Sequence, residues 1–420
     1  MSERKLLLVL IAISIVFAFV LSSVDLIWAQ AKGKVLYRFQ GGTVDGQYPS
    51  GQLLLGPDGS LYGATPYGGG IGNCDYNGHV AYCGTIFHLT SKADGSWKES
   101  VIYRFTGGAD GGVPDDAPVF DKLGNLYGAA AVGGDVSNCE TGTGCGTIFE
   151  LKPGNSGWIL STLFTFDTDS DIFPRGSLIF DPAGNLYGMA RDSVFELSPN
   201  KQRGWWQTVL YTFNTNESPL GGVVRDASGN LYGAFNSGAF ELSPGTGGWT
   251  ETNIATSLNS FGGLTADGNG NLYGTDDGPP GGGHVFELTR TSTGWQQSTI
   301  YQFQGAPDGS IPFGKLAVDS TGNIYGATVY GGTAHCQNVT GTTQGCGTIF
   351  KLSPSTTGWT ETVLYSFPGG PQGYYPEGGV VLDNDDNVYG TTLVGGGSIC
   401  RVFRGTIPGN GCGVVFEVIP

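Results

Sequence analysis

The chain has 420 residues, 74 of them glycine and only 13% charged, with a formal net charge of −16. So acidic a surface repels phosphate backbones and anionic lipid, and no Lys/Arg stripe offsets it, which excludes nucleic acid as an expected partner. Glycine at this level fits disorder unless it recurs at fixed places, and here it falls between short strand-like runs.

At the N-terminus, Arg4 and Lys5 precede an apolar run from Leu6 to Leu21, and Ala29-Gln30-Ala31 has the small-x-small form of a cleavage site. Residues 1–31 therefore read as a secretory signal peptide. An uncleaved anchor is the alternative, because the run approaches the ~20 residues a membrane helix needs. No later apolar run is long enough to span a bilayer. The expected location is secreted, periplasmic or at the cell surface. Next comes Lys34-Val35-Leu36-Tyr37-Arg38-Phe39, a strand with no partner before it.

From there one phrase returns seven times: an apolar strand, a D-x-x-G-N-like turn, a Leu-Tyr-Gly strand, then a Phe-Glu-Leu-like strand. Its Tyr-Gly step falls at Tyr62, Tyr127, Tyr187, Tyr232, Tyr273, Tyr325 and Tyr389. Units this short cannot bury their own apolar faces and must stack on copies of themselves. In the second repeat, Ala117 to Phe120 reads as the first strand and Asp121 to Asn125 as a tight turn. Leu126 to Ala129 is the second strand, Thr147 to Leu151 the third, and a fourth runs from Trp158 to Phe166. Four antiparallel strands, apolar on both faces, suit a sheet buried between two neighbours. Radial packing of seven such sheets makes a single all-β domain over residues 32–420, a seven-bladed β-propeller. The glycine after each Tyr fits a crowded inner region where backbones approach.

Six repeats begin their fourth strand with a tryptophan, read as Trp97, Trp158, Trp206, Trp249, Trp295 and Trp359, in positions that suit packing better than ligand stacking. The seventh ends just after Val414-Val415-Phe416-Glu417. The lone strand at 34–39 is therefore expected to complete the last blade, removing the open edges that invite aggregation.

The eight cysteines fall two to a repeat, between the Tyr-Gly and Phe-Glu-Leu strands of repeats one, two, six and seven. Joint presence and absence within a repeat selects the local pairs Cys74–Cys83, Cys139–Cys145, Cys336–Cys346 and Cys400–Cys412. Each such loop closure is worth roughly 2.5–3 kcal/mol in the chain-entropy model. Metal ligation fails on spacing, since no C-x2-C occurs, and export favours oxidation.

The pattern resembles the Gloeobacter/Verrucomicrobia-type (GloVer) tandem repeat of exported bacterial proteins. The matching motifs stand at Ile102–Pro114, Gly124–Gly128 and Gly146–Leu151, and the resemblance runs over residues 35–420. Repeats four and five lack the Asp-Gly-x-x-Pro element. The resemblance implies export and a propeller, and transfers no catalytic residue.

On such a ring the connections between blades and the cysteine loops share one face, and the D-x-x-G-N hairpins the other. Asp45, Asp110 and Asp308 read as turn residues, with calcium as the alternative, because carboxylates and loop carbonyls suit that ion. No other cofactor is expected. Asp121, Asp181, Asp226, Asp267 and Asp319 recur because the hairpin needs them. His88 takes the Glu position of a repeat strand, whereas His79 and His335 lie in cysteine loops. No G-x-S-x-G or H-E-x-x-H motif occurs.

Breaks in the repeat say more than its regularities. Where other repeats have Ser50, Leu220, Phe261 or Phe313 at the start of the inner strand, three have Asp115, Arg175 and Glu377, charges expected to ring the channel mouth. The stapled loops become contiguous once the ring closes and carry Tyr48, Tyr67, Tyr76, Tyr82, Tyr330, Tyr374 and Tyr375. Tyr67, Tyr330 and Tyr375 are the candidate stacking rings for a glycan or protein, with self-packing of the loops as the alternative. The expected function is a monomeric, secreted recognition module for extracellular glycan or protein, not inserted in a membrane once the leader is removed. An enzyme acting on polysaccharide or lactone through Asp115 and Glu377, or a structural envelope component, is the alternative.

Overall fold

The computed structural model describes residues 31–76, 79–137, 139, 142–167, 173–202, 204–214, 219–235, 237–258, 262–278, 282–336, 343–398, 400 and 411–420. The expected signal peptide lies outside them, except for Ala31. Lys32–Pro420 forms one compact unit. It is a β-propeller of seven four-stranded antiparallel sheets. Blade 2, for example, runs Val119–Phe120, Leu126–Ala130, Thr147–Gly154 and Gly157–Thr165 from the axis outward. In blade 7 the three strands Val380–Leu382, Val388–Thr392 and Val414–Ile419 are completed by the N-terminal strand Lys32–Arg38. That strand pairs along Val414–Ile419, from Lys32 opposite Ile419 to Arg38 opposite Val414. The expected closure is thus present.

The core lies between blades. Each Leu-Tyr-Gly strand is buried on both faces, and each apolar cluster draws on two neighbouring sheets. One such cluster joins Tyr62, Ile86 and Phe105 of blade 1 to Leu126, Phe149 and Leu151 of blade 2. The phenylalanine ending one outer strand meets the third-strand phenylalanine of the next blade edge to face. Phe105 and Phe149 stand 5.2 Å apart, Phe166 and Phe195 5.3 Å, and Phe39 and Phe87, across the closure, 5.1 Å. Six such phenylalanine pairs join the blades, and Leu258 packs with Phe286 at the seventh junction. Each aromatic is fixed by burial as well as by ring geometry.

The glycine after each tyrosine has a different cause from the expected backbone approach. A Cβ on Gly128 would stand 2.5 Å from Phe149 Cζ, and one on Gly274 2.4 Å from Phe286 Cζ. The missing side chain makes room for the phenylalanine directly across the same sheet.

The tryptophans pack as expected, with one correction. In blade 3 the repeat position belongs to Trp205, opposite Pro199, and its ring lies 6.2 Å from Tyr127 of blade 2. Trp206, one step along the pleat, faces outward and is 57% exposed.

Candidate functional site

On the loop-rich face all eight cysteines are paired as expected, with Cα–Cα separations of 5.1, 5.6, 5.0 and 5.1 Å in chain order. The staples also form the joints between blades. A Cβ on Gly107 would fall 2.6 Å from Cys74 Sγ, one on Gly41 2.5 Å from Cys400 Sγ, and one on Gly369 3.0 Å from Cys336 Sγ. In three of the four cases, therefore, the glycine pair opening the following repeat lies directly over the preceding cystine. Beyond it, the residue before the repeat's proline donates its N–H to the carbonyl of the second cysteine. These bonds run from Tyr48 to Cys412 (2.8 Å), Val113 to Cys83 (2.8 Å), Phe173 to Cys145 (2.8 Å) and Tyr375 to Cys346 (3.2 Å). All four donors have φ between 56° and 60°, a left-handed conformation that non-glycine residues adopt at a cost. The interblade bond and the following proline hold them there, and so fix where each inner strand starts.

Asp45, Asp110 and Asp308 are saturated turn residues. Asp45 accepts from Tyr37 Oη (2.6 Å), Gln40 N (2.8 Å) and Gly41 N (2.6 Å). Asp110 accepts from Tyr103 Oη (3.0 Å) and Thr106 N (2.8 Å), and Asp308 from Tyr301 Oη (3.2 Å) and Gln304 N (2.9 Å). Among the described residues no group of three or more His, Cys, Asp or Glu converges to hold a metal ion.

The hairpin face is equally regular. Asp121 takes the N–H of Leu123 and Asn125 on one oxygen, and Asn125 Nδ2 and Tyr127 Oη on the other. These bonds hold its carboxyl below the usual range against the opposing effect of burial. The pattern recurs at Asp181, Asp226, Asp267, Asp319 and Asp383. In blade 1, His88 stands where five of the other blades carry Glu and blade 6 carries Lys351, and it stacks on Tyr62 at 4.1 Å, a packing role. His335 is exposed, and the side chain of His79 lies outside the described residues.

The three mouth charges separate into two neighbourhoods. Asp115 faces Asp116 and Arg175 and accepts the N–H of Gly176. Burial, then the adjacent Asp116, raise its carboxyl to about 6, with Arg175 opposing. Glu377 lies instead beside Tyr330 and Tyr375. The tyrosines meet as rings, but mostly inside: Tyr330 and Tyr375 stand 5.1 Å apart, Tyr374 and Tyr375 4.9 Å, Tyr48 and Tyr67 6.4 Å. Tyr375 is only 1% exposed, so it offers no ring face to a ligand, contrary to expectation. Tyr48 and Tyr374 are buried too, Tyr67 and Tyr330 are half-buried and Tyr82 is open, while the side chain of Tyr76 lies outside the described residues. Inside the long loops these rings are filling, beside buried valines such as Val113, Val132 and Val394.

Exposed apolar side chains gather elsewhere on the same face. Val44, Ile71, Val80 and Tyr82 are 53%, 44%, 51% and 38% exposed. Their segments interlock: Cys83 N donates to Ile71 O, Arg104 Nη2 to Val44 O, and Val80 sits in the hairpin Cys74–Tyr76/His79–Ala81 closed by the first cystine.

A second set of residues lies on the axis, where sequence reasoning did not look. Just inside the mouth, six blades place a glycine: Gly51, Gly176, Gly221, Gly262, Gly314 and Gly378. Neighbouring backbones touch there, so that a Cβ on Gly221 would lie 2.6 Å from Gly263 N and one on Gly314 2.3 Å from Gly379 N. In blade 2 that place belongs to Asp116. The next position is Gly or Ala in blades 2, 4, 5 and 7 but Gln52, Ser177 and Lys315 in the others. These four polar exceptions belong to one network. Asp116 Oδ1 accepts from Gln52 N (3.0 Å) and Ala117 N (2.9 Å), and its carboxylate also takes a bond from the Ser177 side chain. Lys315 Nζ reaches across the axis from blade 6 to donate to Ser177 Oγ of blade 3 at 2.5 Å. Gln52 Nε2 ties the network to Val380 O of blade 7 at 2.7 Å. Burial raises the Asp116 carboxyl and lowers the Lys315 ammonium, each opposed by the charge of the other. Both lie deep in the molecule, yet they and Ser177 keep part of their surface accessible. The available signal was the Pro-x-Gly-x-Leu/Val frame of the inner strands, broken at these places.

No curated protein matches the sequence. Among solved structures, virginiamycin B lyase from Staphylococcus aureus aligns with a TM-score of 0.54 at 11% identity, over 93% of this chain and 99% of that one. A streptogramin B lyase aligns with a TM-score of 0.55 at 13% identity, over 93% and 98%. At such identities the likeness is one of fold. The model of the Gloeobacter/Verrucomicrobia repeat matches residues 29–246, more than half the chain, and its motifs continue in the later blades. This propeller belongs to the Gloeobacter/Verrucomicrobia repeat family.

Proposed function

We propose that the chain is an exported recognition propeller that takes an extracellular glycan or protein on its loop-rich face, at the rim of blade 1. The observation that carries this reading is the group Val44, Ile71, Val80 and Tyr82, apolar side chains left open on loops that a cystine holds in place. Scattered single apolar residues are ordinary on a surface, whereas a group on interlocked segments around a stapled loop suits a contact surface. A preordered loop also loses little entropy on binding. Four cystines with no cysteine left over support an oxidising compartment. Among the described residues no helix is long and apolar enough to cross a membrane.

The test is a binding screen of the purified protein against a glycan panel and a panel of purified extracellular proteins. The triple variant Ile71→Ser, Val80→Ser, Tyr82→Ser runs alongside. Loss of a specific ligand with an unchanged melting temperature supports the rim. A ligand held equally well by the triple variant overturns it.

A further inference from the structure

We propose that Ser177 is a nucleophile for acyl transfer, with Asp116 as its proton acceptor and Lys315 as its charge partner, and that the channel admits a small ester or lactone. This activity is independent of recognition at the rim.

The argument starts from where the repeat is broken. A ring of touching glycines needs no side chain to close it, and blades 2, 4, 5 and 7 manage with Gly or Ala one step further in. Asp116, Ser177 and Lys315 depart from that frame in three different blades, and their side chains meet. An activated nucleophile needs a base within hydrogen-bond reach and a third group that orients the base. Here the hydroxyl of Ser177 lies between an aspartate and a lysine. The aspartate is oriented by the N–H groups of Gln52 and Ala117. Burial makes its carboxylate more basic than an exposed one.

The chemistry balances with water as the only co-reactant. Ser177 Oγ attacks the carbonyl carbon while its proton passes to Asp116, and Lys315 offsets the negative charge that develops. The bond from carbon to the leaving oxygen breaks, and Asp116 returns the proton to that oxygen. Water then attacks the acyl-Ser177 ester, its proton moving to Asp116 and from there to Ser177 Oγ. One ester and one water give one acid and one alcohol, and a lactone gives a single hydroxy acid.

The competing explanation is a brace across the axis with no chemistry. A fluorophosphonate probe separates the two, since attack by Ser177 forms an O–P bond and expels fluoride, leaving a stable adduct. The folded protein is expected to take one adduct, mapped by peptide mass spectrometry to Ser177 and lost in Ser177→Ala. Labelling and p-nitrophenyl acetate hydrolysis should both fall about a hundredfold or more in Lys315→Met and Asp116→Asn. Asp116→Gly restores the residue of the other six blades, so it keeps the fold testable if the first two variants unfold, and it should show the same fall. An intact protein that takes no adduct on Ser177, or a folded Asp116→Gly that labels at the parental rate, overturns the proposal.

Discussion

The two faces of the propeller use carboxylates in opposite ways. On the hairpin face, each turn aspartate gathers backbone N–H groups, an asparagine and a tyrosine, and its carboxyl is pulled below the usual range, to about 2 at Asp319. Elsewhere burial dominates instead: Asp115 at the mouth rises to about 6, Asp116 on the axis is raised too, and Glu99 and Glu361, on the outer strands Trp97–Arg104 and Gly358–Ser366, rise to about 7. The first face repeats one solution in six of the seven blades, Gly56 standing in the aspartate's place in blade 1, and each copy stabilises the charged form it contains. At the mouth and on the axis, Asp115 and Asp116 stand where the charged form is costly, and there the repeat is broken. In a repeat protein, regularity marks what folding requires, and costly exceptions mark where to look for activity.

The largest expected effect probes the loop-rich face from within. Tyr375→Ala should cost about 3–5 kcal/mol, the range for a buried aromatic, while Tyr82→Ala should stay within about 0.5 kcal/mol. Chemical denaturation of both variants checks this. Equal melting would mean that the buried tyrosine cluster is not the filling of the long loops.

On the hairpin face, Asp121→Ala should cost about 1–3 kcal/mol, because the Asn125 side chain, Tyr127 Oη and two N–H groups lose their acceptor. Asp226→Ala, its equivalent two blades on, should match it. A large difference between the two would show that the blades are less equivalent than their bonding suggests.

The smallest effect separates the hairpin aspartates from the buried outer-strand glutamates by pH. The aspartates with lowered carboxyls contribute stability above the unfolded value of 3.8, and it is lost as pH falls through their folded values. Glu99 and Glu361 act in the reverse sense. Between 4.5 and about 7 the folded chain holds protons that the unfolded chain has released, so stability falls as pH rises across that window. Glu99→Gln with Glu361→Gln should flatten the curve from pH 4.5 to 7 and leave the acid limb below 4 unchanged. Urea midpoints measured across that range decide it.

The blades were legible because their signals are local. A turn, a Tyr-Gly pair and a phenylalanine recur at fixed order, and the cystines sit within single loops. Adjacent tryptophans in blade 3 blurred that reading, since the pleat turns one of Trp205 and Trp206 inward and the other out. The axial network was not legible for a different reason. Ser177 and Lys315 lie in sequence neighbourhoods that look like ordinary inner strands, and only closure of the ring brings blade 6 across to blade 3. Tyr375 misled because an aromatic in a polar, glycine-rich loop reads as exposed, whereas the loop folds back and buries it.

The covering of three cystines by the repeat that follows them bears on assembly in time. A staple whose lid is the following glycine pair stays open to oxidants and to thiol exchange until that segment docks. For Cys74–Cys83 the lid is Gly107, the next piece of chain to arrive. For Cys400–Cys412 it is Gly41, at the opposite end of the chain, seated only when Lys32–Arg38 pairs with Val414–Ile419. The last staple to be sealed is thus shut by the first strand, and its protection from reductant reports that the ring has closed.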